Sequence, residues 1–229
     1  MKPGLLVIEP HADDGLISIG GFLEKNRHLY DYAFFLVLAS DLHMHHQGTV
    51  SRETRVNEFQ TYVEYFDGTM VQVTVDEDSY PIDFDSQLDT YPKRKLVRAI
   101  EKAIEIVQPQ VLMVTGPSFH HDHTLVYEAT IAALRPTSRY LPKEVYFLEN
   151  PTYVHSGNPM GRFVPDTFIE LSEDLLRTKT ELLHQLFPSQ IRSDTNYLSP
   201  NGIIDWARYR GLEARCEFAE ALQTFYRRL

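Results

Sequence analysis

Two apolar runs, Leu5-Leu6-Val7-Ile8 and Val111-Leu112-Met113-Val114, each lead straight into a cluster of His and Asp and then into a helical pattern. The first cluster is Pro10-His11-Ala12-Asp13-Asp14-Gly15, the second His120-His121-Asp122-His123. A short apolar run bounded in this way reads as a strand covered on both faces, as the strands of a parallel sheet are. The loop beyond such a strand carries free backbone N–H groups where the next helix begins. It also lies at the ligand-binding edge of an open α/β sheet. Two such loops can bring their side chains to one point.

The rest of the chain continues the alternation. Strand-like runs cover Gly4–Glu9, Tyr32–Ala39, Met70–Val75, Gln110–Thr115, Glu144–Leu148 and Thr167–Leu171. Helical patterns cover Asp14–Arg27, Arg52–Phe66, Pro92–Val107, Asp122–Leu134, Glu173–Phe187 and Trp206–Arg228. Strands that alternate with helices imply βαβ units with right-handed crossovers. The expectation is an α/β, Rossmann-like fold, a mostly parallel sheet flanked by helices in three layers, with residues 1–229 as a single domain. The acidic stretch Asp76–Thr90 and the Pro/Gly/Asn-rich stretch Asn150–Asp166 read as loops.

Composition narrows the function classes. With 43% apolar and 24% charged residues the chain is an ordinary globular sequence. A net charge of −10 argues against nucleic acid, which calls for a basic footprint, and against anionic membrane. The apolar run from Leu5 stops at Glu9, too short for a signal-peptide core, and no run reaches membrane-spanning length. A cytoplasmic location is the expectation, and the single cysteine, Cys216, fits a reducing compartment. One cysteine also excludes a Cys-rich zinc knuckle, so a metal here must use His and carboxylate.

Spacing assigns chemistry to the clusters. Residues three apart in a tight strand-to-helix turn project to the same side, so His11 and Asp14 can share one ion at about 2.0–2.2 Å for zinc. Asp13 then stands beside the ion without binding it, where a general base takes a proton from water. An Asp pair at a helix start also serves as an N-cap and first-turn acid. In the second cluster one of His120 and His123 can be a third ligand and the other a partner for a developing oxyanion. Asp122 can hold one imidazole in its productive tautomer; a polar loop with Asp122 as N-cap accounts for the same residues.

With these residues in place, the chain resembles the LmbE-like, or PIG-L, family of zinc-dependent N-acetylglucosamine deacetylases. The family's A-H-P-D-D-E motif and the Gly-Gly after it correspond to Pro10–Gly15 and Gly20-Gly21, and its H-P-D-H motif to His120–His123. Arg52, Arg55 and Glu58 resemble its R-x-x-E helix. Lys179 with Ser189-Gln190 resembles its K…SQ signature, and Arg210-Gly211 with Ala219-Glu220-Ala221 its last helix. The resemblance implies Zn2+ on His11, Asp14 and His123, Asp13 as general base, a protonated His120 at the oxyanion and Arg55 on the substrate. It also implies a small-molecule amino-sugar partner, with a homo-oligomer compatible. A related amidase acting on a thiol conjugate, and a non-catalytic metal- or carbohydrate-binding domain, are the competing readings. The chain departs from the pattern at Ala12, His121, Gly15 and Ser118, where family members carry Pro, Pro, Glu and, in some, Tyr.

Other features read more plainly. Asp41–Gly48 is a second His-rich stretch, placed to line the same pocket rather than to bind a metal of its own. Gly20-Gly21 lacks the G-x-G-x-x-G fingerprint and suits close helix–sheet packing. Trp206, Tyr209 and Phe225 at helical spacing read as core, as does Cys216.

Overall fold

A computed structural model describes residues 2–45, 48–84, 88–152, 163–192 and 196–228, with the side chains of 42–45 outside the description. Strands β1 (Gly4–Glu9), β2 (Asp31–Leu36), β5 (Thr69–Met70), β8 (Val111–Thr115), β9 (Glu144–Leu148), β10 (Thr167–Leu171) and β11 (Phe218–Arg227) form one sheet in the order β10-β11-β9-β8-β1-β2-β5. The run β5-β2-β1-β8-β9 is parallel throughout. β11 pairs antiparallel with both β9 and β10. Among the described residues two small antiparallel pairs complete the strands: β3 (Leu42–His45) with β4 (Gly48–Val50), and β6 (Val73–Val75) with β7 (Asp78–Tyr80).

Period-two alternation along the strands makes two cores. Leu5 and Val7 join one apolar cluster, and Leu6 and Ile8 join the other. On the first face pack α1 (Asp14–Lys25), α2 (Arg52–Tyr65), α5 (Glu173–Leu186) and α6 (Pro200–Ala214), through residues such as Leu16, Phe59, Leu183 and Ile203. On the second pack α3 (Lys93–Val107) and α4 (His121–Ala133), through Leu96, Ile100, Val126 and Ala129. Each large apolar side chain so covered contributes roughly 1.5–3 kcal/mol. The result is the expected three-layer, mostly parallel α/β fold. Ser51, Ser172 and Ser199 start α2, α5 and α6 by accepting the N–H groups of Thr54, Leu175 and Gly202.

The expected helix Trp206–Arg228 is corrected. The helix begins earlier, at Pro200, and stops at Ala214. Arg215 takes a left-handed φ of 62°, and Phe218–Arg227 becomes a strand. Its first five residues, Phe218 to Leu222, are all buried, and such a run has no period that tells helix from strand. No Gly or Pro marks the break. Tyr209 and Phe225, read as core, are 49% and 41% exposed, and Cys216 lies half-buried in the connection. The Asp76–Thr90 stretch, read as loop, carries β7 and a short 3-10 turn at Leu88–Thr90.

The order of the strands decides where a site can form. From β1 the chain builds outward through β2, whereas β8 lies on its other side and leads outward through β9. The point where direction reverses falls between β1 and β8, and the crevice beyond their C-terminal ends is where such sheets bind ligands. No described helix is long and apolar enough to cross a membrane.

Candidate metal centre and active site

Residues that follow β1 meet residues that follow β8. His11 Nδ1 lies 3.0 Å from His123 Nε2 and 3.4 Å from Asp14 Oδ2, and His123 Nε2 lies 3.3 Å from the same oxygen. These three donor atoms form a nearly equilateral triangle. Tetrahedral coordination by N and O at about 2.0–2.2 Å would place donors about 3.3–3.6 Å apart, so the triangle fits a zinc-like ion. Donor atoms of His11, His120 and His123 also lie within 4.8 Å of one another, so two trios share His11 and His123. The ring of His120 stacks on that of His123 at 4.9 Å between centroids and meets His11 edge-on at 4.7 Å.

Asp14 and His11 are held from behind. Asp14 Oδ2 accepts the backbone N–H of His11 at 2.8 Å, and its Oδ1 accepts Nδ2 of Asn150 at 2.7 Å. Asp122, wholly buried, places Oδ2 3.2 Å from His11 Nε2 and accepts the Leu88 N–H on Oδ1. Asp122 thus orients His11, and the N-cap of α4 is His120, whose Nδ1 accepts the Asp122 N–H at 3.3 Å. Ser118 accepts the His120 N–H. Asn150, just beyond β9, went unnoticed in the sequence because nothing local marks it.

Asp13 occupies the N-cap position of α1, yet its side chain makes no capping bond. Its carboxyl faces a cavity of about 150 Å3 lined also by Arg55, Asn150, Gln190, Arg192 and Asn196. A larger surface cleft of about 320 Å3 lies between α3 and the end of α4, remote from the cluster; there Arg135 pairs with Glu101.

Electrostatics follow burial and neighbours. Burial pulls the His11 pKa down, but its bonds to Asp122 and Asp14 outweigh this and lift it to about 9. Burial would raise Asp14, but His123 and His11 hold it well below the usual carboxylate range. Burial and then the Asp14 charge raise Asp13, against Arg55 and His11. His120 is pushed down to about 3 by burial and by the neighbouring imidazoles. This pull opposes the protonated His120 expected from the sequence. With Nδ1 accepting, that ring carries its proton on Nε2. A buried set of imidazoles around a carboxylate held in its ionised form suits a cation.

The weaker motifs prove to be structural joints. Glu58 accepts the N–H and hydroxyl of Ser189, at 3.2 and 2.8 Å, tying the segment that carries Gln190 and Arg192 to α2 beside Arg55. α1 leaves helical geometry at Ile19. Just beyond, Glu220 on β11 accepts the N–H groups of Gly21 and Phe22 and pairs with Lys179 at 2.8 Å. A Cβ on Gly21 would lie 2.7 Å from Leu171 side-chain carbons, which explains the glycine there. Arg210, on α6, pairs with Glu149. The side chains of His43 and His45, and all of His46, lie outside the described residues, as does most of the expected Asn150–Asp166 loop.

The family model described as PIG-L, GlcNAc-PI de-N-acetylase, matches residues 6–134, more than half of the 229-residue chain. The chain belongs to the PIG-L family. No curated protein matches this PIG-L member. Among solved structures it is similar to the N,N'-diacetylchitobiose deacetylase of Pyrococcus horikoshii, with 15% identity over 97% of this chain and 84% of that one and a TM-score of 0.71. It is similar also to the zinc-inhibited form of the teicoplanin deacetylase Orf2, with 14% identity over 96% and 97% and a TM-score of 0.67. A third likeness is to GalB, the 4-carboxy-2-hydroxymuconate hydratase of Pseudomonas putida KT2440, with 19% identity over 100% and 98% and a TM-score of 0.65. At these identities the likeness shows a shared fold. Since that fold carries both deacetylases and a hydratase, chemistry has to be argued from the site.

Proposed function

We propose that this PIG-L member is a metal-dependent N-deacetylase that removes the acetyl group from a small molecule containing N-acetylglucosamine. The observation that carries the reading is Asp13, a buried carboxyl at a helix N-cap that caps nothing and stands beside the donor triangle. His11, Asp14 and His123 would hold the ion, with Zn2+ as the first candidate for two imidazoles and one carboxylate. Such an ion, when bound, supplies Lewis acidity toward the amide carbonyl and toward water.

This chain's own groups do the rest. Asp13 accepts the proton of the attacking water and returns it to the amide nitrogen, so that amine and acetate leave. The raised pKa of Asp13 suits a group that must both take and give. His120 donates from Nε2 to the carbonyl oxygen as charge develops. Asp122 fixes the His11 tautomer, and Arg55 meets the substrate. A binding module with no reaction to run leaves the uncapped Asp13 without a role. The lone Cys216 supports a reducing, cytoplasmic setting.

Acetate release from a panel of N-acetylglucosamine derivatives, with and without chelator, tests the reading. Release that survives complete removal of metal would end it. Hydration of an enol or alkene acid without acetate release would favour hydratase chemistry instead.

A further inference from the structure

Glu149 and Asn150 follow β9 directly, and both are buried. α6 clamps the first of them: the Glu149 carboxylate accepts Nε1 of Trp206 at 3.0 Å and Nε of Arg210 at 2.8 Å. The segment that carries Asn150 is therefore fixed, although it lies outside both His/Asp clusters. The Asn150 side chain makes two bonds. Its Oδ1 accepts the Thr152 N–H at 3.1 Å, and its Nδ2 donates to Asp14 Oδ1 at 2.7 Å. The first bond decides the second, because an amide whose oxygen faces a backbone N–H must turn its NH2 the other way.

The two oxygens of Asp14 thus have different company. Oδ2 meets His11 Nδ1 at 3.4 Å and His123 Nε2 at 3.3 Å, and Oδ1 meets Asn150. A carboxylate can give a cation one oxygen or both. Both oxygens, added to two imidazoles, would make four protein donors, the closed set of a structural zinc site. One oxygen makes three, the set that catalytic zinc uses with water in the fourth place. We propose that Asn150 is a positioning residue: by engaging Oδ1 it restricts Asp14 to one metal-donating oxygen, Oδ2, and keeps a coordination place for water. The proposal deepens the N-deacetylase reading and rests on the donor triangle as its metal site. A neutral amide suits the task. A hydrogen bond to a carboxylate is strong, whereas an ammonium here would repel the ion and a carboxylate would repel Asp14.

Infrared difference spectra of the full-length protein, saturated with Zn2+ minus metal-free, read the binding mode without any turnover. Coordination through one oxygen separates the antisymmetric and symmetric carboxylate stretches more widely than coordination through two. Aspartate labelled with carbon-13 at its side-chain carboxyl isolates the bands. Asp14→Glu, which keeps a carboxylate but takes it out of the labelled set, assigns those of Asp14. Wild type should show the wide separation. In Asn150→Ala, which releases Oδ1, the separation should narrow. It should narrow equally in Asn150→Leu, whose volume is close to that of Asn, so that an emptied space is not the cause. A narrow separation in wild type, no zinc-sensitive Asp14 band, or the same wide separation in wild type and both variants overturns the proposal. The wild-type spectrum decides even where a variant fails to fold. A one-oxygen pattern that Asn150→Ala abolishes, in a protein that releases no acetate from N-acetylglucosamine derivatives, would keep the role of Asn150 and end the deacetylase reading. Acetate release with a pattern indifferent to Asn150 would do the reverse.

Discussion

Asp122 Oδ2 stands 3.2 Å from Nε2 of His11, across 111 positions of sequence. The bond settles which nitrogen of His11 turns toward the donor triangle, because Nε2 is engaged and Nδ1 is left facing Asp14 and His123. Residues behind a metal ligand set its tautomer and basicity, and their loss costs about 10–100-fold in metal affinity. Asp122→Asn should lower affinity for Zn2+ by that order in a competition with a chromophoric chelator. Unchanged affinity would show that His11 is oriented by something else.

The two donor trios differ in one member, Asp14 against His120. Wild-type protein should contain about one ion per chain, and His123→Ala should lose it. His120→Ala should keep its metal and Asp14→Asn should not, if the triangle is the site. Elemental analysis of the three variants decides, and the opposite result would assign the ion to the imidazole trio.

Asp13→Asn removes a proton acceptor and leaves the triangle whole. Metal content should stay at the wild-type level while acetate release falls about 10²–10⁴-fold, the usual worth of a general base. Near wild-type turnover in this variant would place the base elsewhere.

Lys179 and Glu220 bridge α5 and β11 in a setting where neither reaches water. Lys179→Ala leaves Glu220 buried without its cation and should destabilise the fold by about 3–5 kcal/mol. Lys179→Ala/Glu220→Ala should recover part of that loss, as read from urea unfolding midpoints. An exposed pair such as Arg177–Asp174 should cost about 0–1 kcal/mol in the same assay.

Much of this was legible along the chain. β1, β9 and β10 fall on the strand-like runs as read, and α2 and α5 end within a residue of their patterns, since apolar period and serine caps are local signals. The two His/Asp clusters were legible for the same reason. What escaped depends on distance in sequence. Asn150 matters only because β9 ends near β1, and Arg192 joins the cavity only because Glu58 holds Ser189. β11 escaped because burial on all sides erases period, and because Arg215, without Gly or Pro, ends α6 in a left-handed conformation. The downward pull on the His120 pKa was not legible because it depends on how deeply three imidazoles pack together.

Gly15 stands where the PIG-L motif carries Glu, and Glu9 supplies the physical reason. The buried Glu9 carboxylate accepts the Gly15 N–H at 2.6 Å. A Cβ at position 15 would lie 2.7 Å from Cδ and both oxygens of Glu9. One carboxyl-sized space beneath the metal loop is thus filled from β1 and closed to α1. Gly15→Ala should destabilise by about 1–3 kcal/mol through overpacking, and Gly15→Glu by more. Glu9→Ala empties the space, so Glu9→Ala/Gly15→Glu should be more stable than the sum of its single changes by about 0.5–3 kcal/mol. Urea unfolding of the four proteins, compared at constant m-value, measures that coupling. Strict additivity would mean that the two side chains do not compete for one space, and that the glycine is there for another reason.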